Sequence, residues 1–379
     1  RCVDFALPLG RHTGRASRRK LIHLTFHTMR IALLTGGGDC PGLNAVIRSV
    51  TKSLIRQCNA EVWGIADGML GLIEQRGRWL SWDDVGGILA TGGTVLGTSN
   101  SSSPFNVRGE DKSAEVMDYV RELKLDALVA IGGDGTMTIT HGLTKLGLPV
   151  VGVPKTIDND IYGCERSFGF DTAVATVTDA LERVTTTGQS HGRIMIVETM
   201  GRYAGWIALE AGLAGAADVI LLPEIAYDVE AVAAYCRERE DRHRHTVICI
   251  AEGAKPVGGE LTVAGRVEVG GDPIRLGGVA HALRAQLQPL VRSEVRATVL
   301  GHVQRGGSPT PFDRVLATQY GNAAAGLVAR GEFGRMVTLQ AGGLTSIPID
   351  DVAGRNRGVD ADSPLLVCAR QIGVMLGDT

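Results

Sequence analysis

Short runs of aliphatic and β-branched residues recur along the chain, separated by longer stretches whose apolar positions return every three or four residues. The short runs predict strands over 30–35, 127–131, 150–153, 193–197, 246–251 and 297–300. The longer period predicts a helix over 43–56, with Leu43, Val46, Ile47, Val50 and Leu54 on one face. It predicts a second over 172–184, with Val174, Val177, Leu181 and Val184 aligned. Strands alternating with helices imply an α/β fold with largely parallel sheets flanked by helices. Nearly all of these strands end at a glycine-rich or polar turn, which is where open α/β sheets place ligands. Glycines and prolines between 256 and 278 predict an inserted loop or hairpin.

A chain of 379 residues with 44% hydrophobic content can bury a large core, and at about 150 residues per domain it suggests two domains. Lys plus Arg number 39 against 41 Asp plus Glu, so global charge gives no basis for a nucleic-acid or membrane partner. No apolar stretch approaches the roughly 18 residues that cross a bilayer. Seven cysteines without CxxC spacing read as free thiols of a reducing compartment, so a cytoplasmic location is expected. Residues 1–28 carry a basic cluster (Arg11, Arg15, Arg18, Arg19, Lys20) with little periodicity and are expected to lie outside the fold. A targeting peptide is the alternative, without the usual apolar core or cleavage signal. The 51 glycines change the picture most, because they cluster after the apolar runs, where bare backbone can approach a ligand closely.

Three of those turns carry chemistry. TGGGDCPGLN, from Thr35 to Asn44, runs from a strand into an amphipathic helix and offers free amides to an anion; a tight turn is the alternative. It lacks the lysine of an ordinary P-loop. IGGDGT, from Ile131 to Thr136, sets Asp134 among glycines where polyphosphate and Mg²⁺ could meet, although GGDG alone also reads as a turn. PKTIDND, from Pro154 to Asp160, puts two carboxylates, a hydroxyl and an ammonium on one turn. Asp158 is the candidate proton acceptor and Asp160 the partner of the metal region; a surface Asx-turn is the plain alternative. Further on, Arg193, Arg202, Arg296 and Arg305 lie near strand ends and favour a phosphorylated substrate, though each singly also reads as a surface ion pair. His302 alone reads as a structural hydrogen-bonder, and Glu252 either accepts bonds from sugar hydroxyls or caps a helix.

Taken together, GGGDCPGLN, GGDGT, PKTIDND, MGRYAGW and GHVQRGG, in this order and spacing, resemble the phosphofructokinase family from Met29 to about residue 350. The resemblance implies that Gly38, Asn100, Gly133, Asp134, Gly135 and Thr136 serve ATP, with Asp134 at Mg²⁺. It implies Asp158 as proton acceptor, Thr156 at the transferring group and Arg202 steadying its charge. A fructose 6-phosphate site would comprise Thr156, Ile157, Asp158, Met200, Gly201, Arg202, Glu252, His302, Val303, Gln304 and Arg305. Arg193 and Arg296 would arrive from a neighbouring subunit, which makes the active protein a homo-oligomer, dimer or tetramer, with shared sites. The family fold implies a nucleotide domain of 29–168 plus 304–353, and a sugar-phosphate domain of 169–303 plus 354–379.

Two positions select the donor in the family. Gly135 matches ATP users, since an acidic side chain there would crowd an inner phosphate, whereas Lys155 resembles pyrophosphate users. The pair looks like the mixed-donor subfamily, in which glycine goes with ATP. Asn100 stands where ATP-using bacterial relatives carry an arginine, so that charge is expected from Arg108 or Lys155. Arg48 and Lys52 match allosteric basic positions, but the arginine expected near Trp82 is missing. The expected activity is that of an ATP-dependent 6-phosphofructokinase. A pyrophosphate-dependent enzyme and a non-catalytic sugar-phosphate sensor are the alternatives.

Overall fold

The computed structural model describes residues 28–100, 102–266 and 274–378; the expected extension over 1–28 lies outside the described residues except for its last position. The chain lays down β1 (Arg30–Thr35), β2 (Glu61–Ile65), β3 (Gly77–Leu80), β4 (Ala127–Gly132), β5 (Val150–Thr156) and β6 (Phe168–Gly169). It then forms β7 (Ile194–Thr199), β8 (Val219–Leu221), β9 (Thr246–Ala251), β10 (Val263–Arg266), β11 (Ile274–Leu276) and β12 (Val295–Val299). A last pair follows, β13 (Arg335–Gln340) and β14 (Gly343–Pro348).

These strands make two main sheets. The larger runs β14-β13-β5-β4-β1-β2-β3, with β6 beside β5. Its centre is parallel, while the antiparallel strands β14 and β3 close its edges. The smaller runs β12-β7-β9-β8 and is parallel throughout. Central strands such as β4 (ALVAIG) and β9 (TVICIA) are buried at every position, because helices cover both faces. The two faces of the smaller sheet feed different cores. Val247, Cys249 and Ala251 join the large core that continues under the first sheet, whereas Ile248 and Ile250 face a separate cluster with Val232 and Leu283.

The helix Leu43–Cys58 buries the five apolar residues expected of it. It packs along Pro311–Arg330, a helix the apolar period did not reveal, since only its cap signature, Thr310 followed by Pro311, is explicit. The contact is close at Gly321, where an added Cβ would sit 2.7 Å from Ser49 Cβ and 2.9 Å from the Val46 carbonyl oxygen. At the start of the same helix the buried Asp313 carboxylate accepts from Thr172 N (2.8 Å) and Thr172 Oγ1 (2.6 Å), tying the helix Phe170–His191 to it.

Several boundaries differ from the sequence expectation. The strand expected at 297–300 begins at Val295, which is fully buried, and stops at Val299, because Leu300 leads into the 3₁₀ turn Gly301–Gln304. Arg193 precedes β7 rather than opening it. The glycine-rich stretch holds the two-stranded ribbon β10-β11. Strands β2, β8, β13 and β14 were not anticipated; β8 is an apolar run of only three residues, and the others are short, glycine-bearing or half-exposed. Gly321→Val is expected to lower unfolding free energy by ~1–3 kcal/mol or more through overpacking, measured by urea titration.

Candidate active site

The carboxyl ends of β1, β4, β5, β7 and β9 carry the loops that sequence reasoning selected. Two amides of the first glycine loop already have partners within the fold. Gly36 N donates to the Ile131 carbonyl (2.8 Å) and Gly37 N to the Ser99 carbonyl (3.1 Å), so these two amides brace the loop instead of facing an anion. The loop instead gathers cations through its carbonyls. Lys155 Nζ donates to the Gly38 carbonyl at 2.5 Å and Arg305 Nη1 to the Asp39 carbonyl at 3.2 Å. Burial pushes the Lys155 ammonium below its usual range, with Arg305 adding to the effect.

The second loop opens the helix Asp134–Lys145, whose cap, Gly133, has no side chain to accept from the first-turn amides, which like those of any helix have no intrahelical partner. Thr136 plugs the space between the loops: a Cβ on Gly132 would lie 2.3 Å from its side chain, and one on Gly36 would lie 2.6 Å from its Oγ1. Gly135 is the opposite case, exposed, with nothing within 4 Å of an added Cβ. Asp134 is half-buried and its Oδ1 accepts from Gly354 N at 3.1 Å. Among the described residues no group of three or more His, Cys, Asp or Glu encloses a metal. One carboxylate at an open glycine cradle fits Mg²⁺, which takes one or two carboxylates and completes its shell with phosphate oxygens and water.

The acidic turn holds the densest charge. Asp158 is buried, its backbone N–H donates to Thr156 Oγ1 at 3.0 Å, and its Oδ1 accepts no hydrogen bond from any described residue. Burial and the Asp158 charge raise Asp160 to about 7, against the opposing pull of Arg202 and the Thr156 hydroxyl. Burial also raises Glu252 to about 7, with the Arg202 amide opposing it and Asp158 and Glu198 adding to it. Arg202 adopts a left-handed backbone (φ 51°) that turns its N–H onto Glu252 Oε1 at 3.0 Å. Gln304, fully buried, accepts from Met200 N at 3.2 Å and so ties the Met200–Gly201–Arg202 loop to the Gly301–Gln304 turn.

The structure therefore brings together Gly38, Lys155, Thr156, Asp158, Asp160, Arg202, Glu252, Gln304 and Arg305. Other expected residues are exposed, buried in the core or paired elsewhere. Ile157 buries its side chain completely in the core, leaving only its main chain to the turn. His302 and Val303 are exposed on the turn, and Asn100 is exposed beside Ser99, whose carbonyl braces Gly37. Arg193 and Arg296 both pair with Glu294 at the amino ends of β7 and β12, across the sheet from Arg202 in the same chain. Arg108 sits in an exposed turn, and Lys52 stacks 4.1 Å over the Trp82 ring.

Sequence reasoning missed three residues that shape the site. Asn159 takes a left-handed conformation (φ 54°) and its Oδ1 accepts from Ser167 N at 2.9 Å, locking the turn between the two aspartates. An asparagine flanked by aspartates, tolerant of that conformation, was the available signal. Glu198 accepts from Gly278 N (2.9 Å) and Ala280 N (2.8 Å), capping the helix Val279–Leu287. Arg357, far along the chain, contacts the acidic turn and had no local signal.

Glycine cradles, a buried carboxylate pair and converging cations define an α/β phosphotransferase site. The phosphofructokinase family model matches residues 30–328. The chain is 48% identical over 358 residues to the ATP-dependent 6-phosphofructokinase of Chloroflexus aurantiacus, covering 92% of this chain and 98% of that protein. It is 46% identical over 360 residues to ATP-dependent 6-phosphofructokinase 2 of Clostridium perfringens, again 92% and 98%. Among solved structures, Pichia pastoris phosphofructokinase in the T-state superposes with TM-score 0.75 at 29% identity, over 86% of this chain and 35% of that one. A pyrophosphate-dependent phosphofructokinase from Marinobacter aquaeolei shares the fold with TM-score 0.75 at 20% identity, over 93% and 92%. The chain belongs to the phosphofructokinase family.

The carboxylate cluster has a pH signature. Glu252 titrates near 7 in the fold against an ordinary 4.5, so its contribution to stability is full below about 4.5 and is lost as pH rises through about 7. Glu252→Gln stays neutral and is expected to gain unfolding free energy over the parent progressively across that interval, seen in guanidinium titrations run at several pH values.

Proposed function

We propose that this protein is an ATP-dependent 6-phosphofructokinase, transferring the terminal phosphoryl group of ATP to the 1-hydroxyl of fructose 6-phosphate. The observation that carries the reading is Asp158: a buried carboxylate oxygen left without a hydrogen-bond donor, with Lys155 acting on it, Arg202 on the neighbouring Asp160 and Arg305 on Glu252. Such an oxygen can accept the hydroxyl proton as the sugar oxygen bonds to phosphorus and ADP departs. Arg202 meets the charge that spreads over the transferring oxygens, and Thr156 orients the acceptor beside Asp158. Mg²⁺, held by Asp134, would neutralise donor phosphates. Glu252 accepts bonds from sugar hydroxyls, and the Gln304–Arg305 turn closes the sugar-phosphate side.

Domain use follows the same reading. The part formed by 29–168 and 304–353 takes the nucleotide, and the part formed by 169–303 and 354–379 takes the sugar phosphate. The Arg193–Glu294–Arg296 cluster, remote from Arg202 in its own chain, serves the site of a second copy, so the working enzyme is a cytoplasmic homo-oligomer. For the donor, open space at Gly135 admits the larger nucleotide, and Lys155 commits its ammonium to the Gly38 carbonyl. Relatives with 98% coverage carry the name ATP-dependent, which supports the same choice.

Asp158→Ser is expected to fold normally and lose roughly 10²–10⁴-fold in kcat in a coupled assay with ATP and fructose 6-phosphate; near-normal turnover would remove the proposed base. Gly135→Asp has room to fold and is expected to weaken ATP use sharply, raising KM for ATP through charge repulsion. Activity of the unmodified protein with pyrophosphate alone would overturn the donor assignment.

A further inference from the structure

The stretch 354–359 is chemically plain in sequence, yet it touches the Asp134 loop, the acidic turn and the helix that follows the Arg202 loop. Gly354 N donates to Asp134 Oδ1 at 3.1 Å. Asn356 forms an antiparallel bridge with Ile161, just past the acidic turn. Arg357 N donates to the Asp160 carbonyl at 2.7 Å. The Arg357 guanidinium reaches under the same turn, with Nη1 at 3.0 Å from the Glu165 carbonyl oxygen, 3.1 Å from that of Cys164 and 3.4 Å from that of Asn159. Two Nη1 hydrogens are thus shared among three acceptors.

The same guanidinium lies 4.2 Å from the Trp206 ring centroid, and Trp206 Nε1 donates back to the Arg357 carbonyl at 3.1 Å. Trp206 opens the helix that follows the Arg202 loop. A second tie is parallel to it: Glu224 Oε1 accepts from Gly205 N at 2.9 Å and from Val359 N at 2.8 Å. The carboxylate turn and the arginine loop come from different sheets and share no strand pairing. Their relative position is carried in part by this strap.

We propose that 354–359 is a positioning strap, and that Arg357 is a positioning residue that holds the Asp158–Asp160 turn in register with the Arg202 loop. The turn needs such a clamp because Asn159 breaks its backbone into the left-handed region, leaving carbonyls that no strand partner satisfies. A planar, always-charged guanidinium can serve several carbonyls on its edge while its face stacks on an indole; an ammonium cannot do both. This inference rests on the proposed function for the roles of Asp158 and Arg202, but the clamp itself is independent of substrate.

The experiment compares the full-length parent with Arg357→Ala and Arg357→Lys. Amide hydrogen exchange over 159–165 and steady-state phosphoryl transfer to fructose 6-phosphate are measured on each. Faster exchange in that segment is expected for both variants. Up to ~10²-fold loss of kcat is expected for Arg357→Ala with a smaller change in KM, since displacement of about 1 Å suffices for such a loss. Added guanidinium ion at low concentration should restore part of the Arg357→Ala rate, and sodium chloride at equal ionic strength should not. Parent-like exchange over 159–165 overturns the clamp, as does a rate loss that only follows the folded fraction and resists guanidinium. Should Arg357→Ala not fold, Arg357→Lys decides by the same exchange and kcat comparison. If the parent transfers no phosphoryl group, the proposed function fails, and exchange alone decides the strap.

Discussion

Three carboxylates held out of water in one place constrain everything around them. Burial, with the charge of Asp158 adding to it, lifts Asp160 and Glu252 to about 7. Alone, such a group would either stay protonated or push the backbone apart. The fold opposes this by bringing Lys155, Arg202 and Arg305 to the same region, each fixed through the backbone: Lys155 on the Gly38 carbonyl, Arg305 on the Asp39 carbonyl, and Arg202 through its own N–H on Glu252. The resulting balance of charge is incomplete by design of the geometry. It leaves Asp158 Oδ1 without a donor among the described residues, which is the oxygen the proposed function gives to a substrate hydroxyl.

Holding this arrangement demands rigid loops, and the structure supplies rigidity from outside the loops. Central parallel strands, buried on both faces, set the loop roots. Beyond the roots, distant side chains fasten the turns. Asn159 locks onto Ser167, and Arg166 stacks 4.6 Å from the Phe170 centroid while donating to both oxygens of Glu210 at 2.8 and 2.9 Å. Tyr320, from the long helix Pro311–Arg330, donates to the Arg166 carbonyl at 2.5 Å. The strap at 354–359 belongs to the same scheme, joining parts that neither sheet joins.

Much of this was legible in the residue order. Dense aliphatic runs marked the core strands, because a strand buried on both faces needs an apolar side chain at nearly every position. The glycine-rich turns and PKTIDND marked the loops that gather at the candidate site, because close packing such as that of Thr136 between Gly36 and Gly132 tolerates no side chain. The half-exposed strands β13 and β14 escaped notice because their burial is partial and their pattern weak. The long helix Pro311–Arg330 escaped because alanines and Gly321 fill much of its buried face between Leu316, Tyr320, Leu327 and Val328, which dilutes the apolar stripe.

The residue order by itself determined the α/β class, the core strands, the loops of the candidate site and the residue types within them, since each depends on local periodicity or on chemistry confined to a few neighbours. Only the tertiary structure decided which amides remain free, as Gly36 and Gly37 show by bonding to Ile131 and Ser99. Only it separated Arg193 and Arg296 from Arg202, and brought Arg357 under a turn nearly two hundred positions earlier in the chain. Those outcomes depend on distances between segments remote in sequence, and such distances are set by how two sheets pack, which no local pattern encodes.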